Sequence, residues 1–151
     1  MDEQVEMKVL IFCLNDEYYA ANIDDVERIL RFKNATPMPD APDFVEGVIN
    51  YEDVVLPVIN IKKKFKLKDD IKTVEEPKVI SMKIGDKRLG IIVDSVCEVS
   101  NIARSKYEET PDITKNSINN YVKGLIKLED KIIILINIEN ILSEQEEELI
   151  Y

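Results

Sequence analysis

Short apolar runs separated by brief polar turns recur along the whole chain. VLIFCL and YYAANI flank a turn at residues 15–17, and VEGVIN and VVLPVIN flank a turn at residues 51–53. Apolar runs of four to eight residues that are rich in β-branched side chains are typical of buried strands. The turns contain residues that tolerate a left-handed backbone, as hairpins require. The pattern therefore predicts a series of β-hairpins.

The pattern is written twice. Residues 44–65 align without a gap with residues 121–142, and eight of the 22 positions are identical. Residues 9–29 align with 79–99 at a different offset, with four identities. Two copies of one supersecondary unit usually bury their apolar faces together. We expect an all-β chain with short helices, in which each copy supplies four or five strands to a small closed sheet and the copies join near residues 66–76.

Several local features refine this expectation. Asp24 and Asp94 stand where a short helical turn would need an N-cap, ahead of DVERIL and SVCEVS. Gly47 occupies a strand position at which a bulge is expected. Cys13 and Cys97 lie in apolar segments without a CxxC spacing, which favours small core residues.

Two charged segments lie between and after the copies. KKKFKLKDDIK (62–72) carries six lysines, and a solvated strand end and linker is favoured over a phosphate-binding role. SEQEEELIY (143–151) carries four glutamates and predicts a helical or frayed terminus. Neither segment by itself indicates a function.

Composition excludes several classes of function. A net charge of −10 argues against a nucleic-acid partner, because phosphate contacts need basic residues. The chain has no histidine, which removes histidine bases and makes common zinc sites improbable. All four glycines fall within the repeats, so no phosphate-binding loop is present and no cofactor is expected. No apolar run approaches the ~20 residues of a bilayer span, and the acidic MDEQVEMK start is unlike a signal peptide, so we expect a cytoplasmic protein without membrane insertion.

Catalysis by paired carboxylates is the mechanism that this composition still permits. The candidate acids each have a structural explanation as a turn former, a helix cap or an exposed hairpin tip. A binding module is the more economical interpretation, and an acid-based hydrolase is kept as an alternative that would need a deep pocket with two facing carboxylates.

These segments together resemble the CheW-like family of bacterial chemotaxis coupling proteins. The similarity lies in VLIFCLNDEYYAANIDDVERIL, the TPMPDAPDF connector, FVEGVINYEDVVLPVINI and YVKGLIKLEDKIIILINIENIL, and it covers residues 8–142. The resemblance implies two five-stranded, SH3-like β-barrels related by a pseudo-twofold axis. The expected boundaries are about 8–70 for the first barrel and 71–142 for the second, within one domain of residues 1–151 that ends in the acidic tail 143–151.

The resemblance also implies a function and partners. Family members are non-enzymatic adaptors without a cofactor, which link the cytoplasmic signalling tip of methyl-accepting chemoreceptors to the regulatory domain of the histidine kinase CheA. The expected localisation is therefore the cytoplasm, with recruitment to receptor arrays at the membrane. The alternatives are a paralogous CheW-like module of another signalling complex, a fragment of a larger kinase or fused coupling protein, and an unrelated barrel that binds peptides at a sheet edge.

The family's partner-contacting residues can be assigned to this chain only where its sequence matches the family's motifs. These are Val26, Arg28 and Ile29 around the first helical turn, and Val45, Gly47 and Asn50 along a groove between the barrels. Core packing explains Val26 and Ile29 equally well, and a bulge explains Gly47.

One departure from the family's pattern affects the hairpin tip. Where the family usually has Asn-Leu-Arg-Gly, this chain has Asn50-Tyr51-Glu52-Asp53. Glu52 reverses the charge of the usual arginine, which turns attraction into repulsion for a fixed partner. We expect partners that carry compensating basic residues.

Overall fold

The fold consists of short strands, most of them paired antiparallel, with few helical residues. The computed structural model describes residues 6–68, 74–109 and 121–151. The strands are β1 (Met7–Leu14), β2 (Glu17–Asn22), β3 (Val26–Arg31), β4 (Val45–Tyr51), β5 (Val54–Asn60), β6 (Lys78–Ile84), β7 (Lys87–Val93), β8 (Ser95–Ile102), β9 (Tyr107–Glu109), β10 (Val122–Leu128) and β11 (Lys131–Ile136). The helices are α1 (Ile61–Lys64) and α2 (Glu144–Ile150), with single 3-10 turns at Ile23–Asp25, Arg104–Lys106 and Ile138–Asn140. Parts of the predicted join and of the second connector, residues 69–73 and 110–120, lie outside the described residues.

The strands form two sheets. One has the order β8-β1-β2-β11-β10-β9 and the other β3-β6-β7-β5-β4. The all-β, SH3-like class with short helices is confirmed. The first sheet has six strands instead of five because the short β9 pairs with β10.

The sheets do not follow the two halves of the sequence. The β1-β2 hairpin of the first copy joins β8 to β11 of the second, and the β6-β7 hairpin joins β3 to β5 of the first. Parallel pairs of β11 with β2 and of β5 with β7 make these connections. The expected boundary near residue 70 therefore separates the repeats and not the sheets, since each copy contributes one hairpin to the sheet of the other.

Alternation of side chains divides the interior into three clusters. In β1, Val9 and Ile11 enter a cluster within the six-stranded sheet, whereas Leu10 and Phe12 enter the largest cluster. That cluster contains buried residues from both sheets and lies between them. A third cluster consists of buried residues of the five-stranded sheet. Because strands alternate with a period of two, one apolar run can supply two cores.

The prediction that a helical turn begins at DVERIL and at SVCEVS is wrong. A 3-10 turn covers Ile23–Asp25, its N-cap is Asn22 instead of Asp24, and Val26 already begins β3. In the second copy Ser95–Ile102 is the strand β8, and Asp94 accepts a hydrogen bond from the backbone N–H of Asn15. Pairing of β3 with β6 and of β8 with β1 outweighs the local helix signal.

The expected bulges are present. The β4-β5 register shifts between Val45 and Gly47, and the β10-β11 register shifts between Val122 and Gly124. Gly47 has a φ of +140°, and a Cβ there would lie 2.1 Å from the carbonyl oxygen of Thr36. Glycine is therefore required where the loop before β4 pairs with this strand through Thr36 and Val48.

The interpretation of both cysteines as core residues is wrong. Cys13 is partly buried and Cys97 is exposed. Cys97 is the extra residue of β8 where the register with β1 shifts, and its neighbour Val96 packs against the core instead.

Two lysines at the start of the basic tract are less solvated than expected, whereas residues 69–72 of the tract lie outside the described residues. Lys62 is 1% exposed, and its Nζ lies 2.8 Å from Oδ1 of Asp94. The Nζ of Lys64 lies 2.7 Å from Oε1 of Glu146 and 4.5 Å from the ring centroid of Phe44. Lys62 and Lys64 thus form ion pairs within the fold and are not part of a solvated linker.

The acidic tail is a docked helix. Ser143 and Glu146 form a capping box at the start of α2, and Ile150 is buried in the core between the sheets. The Tyr151 hydroxyl donates to the carbonyl oxygen of Arg88, and burial followed by the charge of Glu147 raises the pKa of Tyr151 to about 12. The tail thereby closes the end of the core between the two sheets.

We predict that α2 loosens in acid through Glu146. Burial alone would raise the pKa of Glu146, but hydrogen bonds from Lys64 and Ser143 and the charge of Lys64 together lower it below its ordinary value of 4.5. A lowered pKa in the folded state adds stability above the unfolded value, and this contribution is lost as the pH falls below about 4.5. Glu146→Gln should cost about 1 kcal/mol at pH 7 and less at pH 3. Denaturant unfolding at both pH values measures this difference, and an equal loss at both would contradict the assignment.

Candidate functional site

The outer strand β3 and the β4-β5 hairpin tip lie on either side of a cavity. Its volume is 290 Å³. The lining residues are Glu27, Arg28, Tyr51, Glu52, Val54, Leu56, Ser81 and Arg88. Strands β3 and β4 are the two edges of the five-stranded sheet, so the cavity opens where this sheet does not close by strand pairing. It combines a charged rim with an apolar floor, since Leu56 is buried.

Opposite charges organise the rim. The Nε of Arg88 donates to Oε1 of Glu27 at 2.8 Å, and both side chains are partly exposed. The guanidinium carbon of Arg28 lies 5.6 Å from the ring centroid of Tyr51, within the range of a cation–π contact. Arg28 is therefore positioned beside the hairpin tip instead of extending freely into solvent.

The hairpin tip itself is a tight turn with two acids. Glu52 and Asp53 have φ values of +50° and +67°, and both are exposed. Positive φ at both central residues is the mark of a type I′ hairpin turn. The turn projects two carboxylates from the sheet beside the rim that Arg28 and Arg88 form.

The residues proposed from the sequence fall into two groups. Arg28, Asn50, Glu52 and Asp53 are exposed, and Ile29 is 45% exposed. The structure brings Arg28 and Glu52 together at the first cavity, and Asn50 lines a second one between β3 and β4.

The second group is less accessible. Val26 and Val45 are partly buried and pack against the core between the sheets. Gly47 is buried beneath the backbone of Thr36. Val26 and Val45 thus contribute to core packing and Gly47 to the bulge, and their contact with a partner stays a prediction.

Six of the eight residues that line the cavity were not among the site residues predicted from the sequence: Glu27, Tyr51, Val54, Leu56, Ser81 and Arg88. Arg88 opens an otherwise apolar run, RLGIIV, and a charge at the start of such a run is a signal that could have indicated a rim position. Nothing in the sequence indicates that Glu27 faces it, because the two residues lie on strands from different copies.

The charged groups of the rim are suited to binding a partner and not to catalysis. Glu27 is paired with Arg88, so the two glutamates of the cavity do not provide a free acid and a free base. Within the described ranges, no three Cys, Asp or Glu side chains are arranged to hold a metal ion. None of the helices described has the length and hydropathy needed to cross a bilayer.

A smaller acidic cavity lies beside the 3-10 turn that precedes β3. Its volume is 200 Å³, and Asp24, Asp25, Lys123 and Glu139 are among its lining residues. Burial raises the pKa of Asp25, Lys123 opposes the rise, and Glu139 and Asp24 add to it. Such a shift can accompany catalysis, but partial burial beside other acids produces it as well.

Comparisons with known proteins identify the family. The model of the CheW-like domain matches residues 8–146. A chemotaxis protein CheW of Klebsiella aerogenes is 31% identical over 98% of this chain and 89% of its own length, and one of Thermotoga maritima is 29% identical over 95% and 92%.

Solved structures agree. The crystal structure of the scaffolding protein TtCheW from Thermoanaerobacter tengcongensis matches with a TM-score of 0.84 and 31% identity, over 94% of this chain and 96% of that one. The chain therefore belongs to the CheW-like domain family, the non-catalytic scaffold proteins of chemotaxis, as the resemblance predicted.

Proposed function

We propose that this chain is an adaptor that couples the cytoplasmic tip of a chemoreceptor to the regulatory domain of a CheA-type histidine kinase. It would act in the cytoplasm and be recruited to receptor arrays at the membrane. Family membership supports the scaffold role, and the rim of Arg28, Tyr51 and Glu52 supplies a surface for one of the two contacts.

The observation that carries the proposal is the combination of charged side chains with an exposed apolar side chain around one cavity. Val54 lines the cavity together with Arg28 and Glu52 and is 36% exposed. Apolar anchors surrounded by polar residues are typical of protein interfaces. Interfaces at the small end of the usual range fit micromolar affinity, and function in an array then depends on multivalency.

The two acids at the tip define what the partner must offer. Glu52 and Asp53 are exposed and lie next to each other on a turn whose backbone is fixed. We infer that the partner presents basic residues to them, in contrast to the acid that the family's usual arginine would attract. The same tip in a paralogous signalling complex is the alternative, with a different kinase or receptor as the partner.

We predict that Glu52→Arg weakens binding to the chain's own kinase regulatory domain about tenfold or more, because it places a cation against basic residues. Calorimetric titration of this chain with that domain from the same organism measures the effect. Glu129→Arg is the matched control, since Glu129 holds the equivalent tip of the β10-β11 hairpin with a φ of +55°. Equal affinities of wild type and Glu52→Arg would contradict the proposed contact.

A further inference from the structure

Two thiols meet on neighbouring strands of the six-stranded sheet. Cys13 lies on β1 and Cys97 on β8, and their sulfur atoms are 3.5 Å apart. Both are free cysteines. They are 84 positions apart in the sequence and come from different copies of the repeat. A bond between them would join the two halves of the chain directly.

A bulge creates this contact. Ile11 pairs with Glu98 and Phe12 pairs with Val96, which leaves Cys97 as the extra residue of β8. A bulged residue is directed differently from its neighbours, and a bulge bends its strand. β8 is also an edge strand of the sheet and is held by hydrogen bonds on one side. Closing the gap to the ~2.05 Å of a disulfide needs an approach of about 1.5 Å, which an edge strand can supply.

The internal repeat shows that the thiols are not a requirement of the fold. Cys97 aligns with Glu27, the extra residue at the corresponding bulge of β3, and Cys13 aligns with Lys83. At this bulge the five-stranded sheet has Glu27, which is ion-paired with Arg88, whereas the six-stranded sheet has Cys97, whose sulfur lies beside that of Cys13. The same architecture accommodates either chemistry, so the thiol pair is a property of this sheet alone.

We propose that Cys13 and Cys97 form a site of reversible oxidative modification, at which a peroxide converts the two thiols into an intramolecular disulfide between β1 and β8. One thiolate attacks the peroxide, the O–O bond breaks, and a sulfenic acid and a first water form. The second thiolate attacks the sulfenic sulfur, the S–S bond forms, the S–O bond breaks, and a second water leaves. The two thiols together lose two protons and two electrons, and the peroxide is reduced to two waters. A dithiol reductant reverses the reaction by exchange.

The surroundings of the pair set its pH dependence. Burial, the hydrogen bond with Cys13 and the charges of Cys13 and Glu98 raise the pKa of Cys97 to about 11, and Lys131 on β11 opposes the rise. The thiolate is the reactive form, so oxidation at Cys97 is slow at neutral pH and accelerates as the pH rises toward 11. Exposure of Cys97 leaves this sulfur accessible to a small oxidant.

Oxidation of the full chain with hydrogen peroxide tests the site. The expected product is a monomer that has lost about 2 Da and both titratable thiols, and that regains them with dithiothreitol. Peptide mapping after alkylation should recover the segment containing Cys13 linked to the segment containing Cys97, which needs no variant. Cys13→Ser and Cys97→Ser each keep one thiol, and they should instead gain oxygen or form dimers between chains. Wild-type chain that gains oxygen at each cysteine, or that forms only dimers between chains, would overturn the proposal.

Discussion

Asp94→Ala is expected to destabilise the fold by about 3–5 kcal/mol, because it leaves a buried lysine without its counter-ion. The Nζ of Lys62 lies 2.8 Å from Oδ1 of Asp94 and donates to Oδ1 of Asn15 at 3.1 Å. Lys62 is 1% exposed, whereas the Asp94 side chain is 19% exposed. Loss of the carboxylate therefore leaves an ammonium group that water does not reach, with one amide oxygen as its acceptor.

The burial of the two partners makes the expected effects unequal. Lys62→Met keeps the apolar stem and leaves Asp94 partly solvated and still bound to the backbone N–H of Asn15 at 2.8 Å. Its cost should be nearer 1 kcal/mol. Glu108→Ala is the surface control, because its pair with Lys127 is 3.8 Å long and both side chains are at least 65% exposed. Urea unfolding of the variants measures these values, and a cost for Asp94→Ala as small as that of Glu108→Ala would show that the pair is solvated.

Gly47→Ala is expected to cost about 3 kcal/mol or more, through a clash and backbone strain together. The new Cβ would lie 2.1 Å from the carbonyl oxygen of Thr36, and the φ of +140° is unfavourable for any L side chain. Thr36 exchanges two backbone hydrogen bonds of 2.9 Å with Val48, so its carbonyl cannot move without losing them. The loop and β4 would have to separate.

Gly85→Ala is the matched control for this effect. Gly85 also has a positive φ, +64°, but nothing lies within 4 Å of the position of its Cβ. Its cost should be about 1 kcal/mol from the backbone alone. Thermal and denaturant unfolding of both variants measure the difference. If Gly47→Ala were no more destabilising than Gly85→Ala, the pairing of the loop with β4 at Thr36 would not be rigid.

Much of the fold could be predicted because both copies of the repeat contain the same local signals. The β4-β5 hairpin and its bulge at Gly47 follow from apolar alternation, a turn at Glu52-Asp53 and a glycine at an equivalent position in each copy. Each of these signals is local, and each agrees with the others.

Pairing between distant segments could not be predicted in the same way. The exchange of hairpins depends on parallel contacts such as Val58 with Gly90 and Ile133 with Tyr18, which no local pattern encodes. Val26 shows the reverse problem, since a good local helix signal gave way to pairing of β3 with β6. Long-range packing decided both cases.

The candidate site could be predicted in part for the same reason. Arg28, Glu52 and Asp53 lie in segments that resemble the family's motifs, and the structure shows them exposed around one rim or tip. Arg88 and Ser81 belong to the second copy of the repeat, and their place in the cavity depends on the exchange of hairpins. The contact between the two thiols could not be predicted from the sequence, because Cys13 and Cys97 lie 84 positions apart and meet at a bulge.

The central claim is that one chain binds a receptor and a kinase at the same time. The most direct test immobilises a chemoreceptor signalling tip and measures capture of the CheA-type regulatory domain from the same organism, with and without this chain. We predict that the kinase domain is retained only when the chain is present, and that Glu52→Arg reduces its retention while Glu129→Arg does not. Failure to retain the kinase domain, although the chain itself binds either partner alone, would contradict the coupling function.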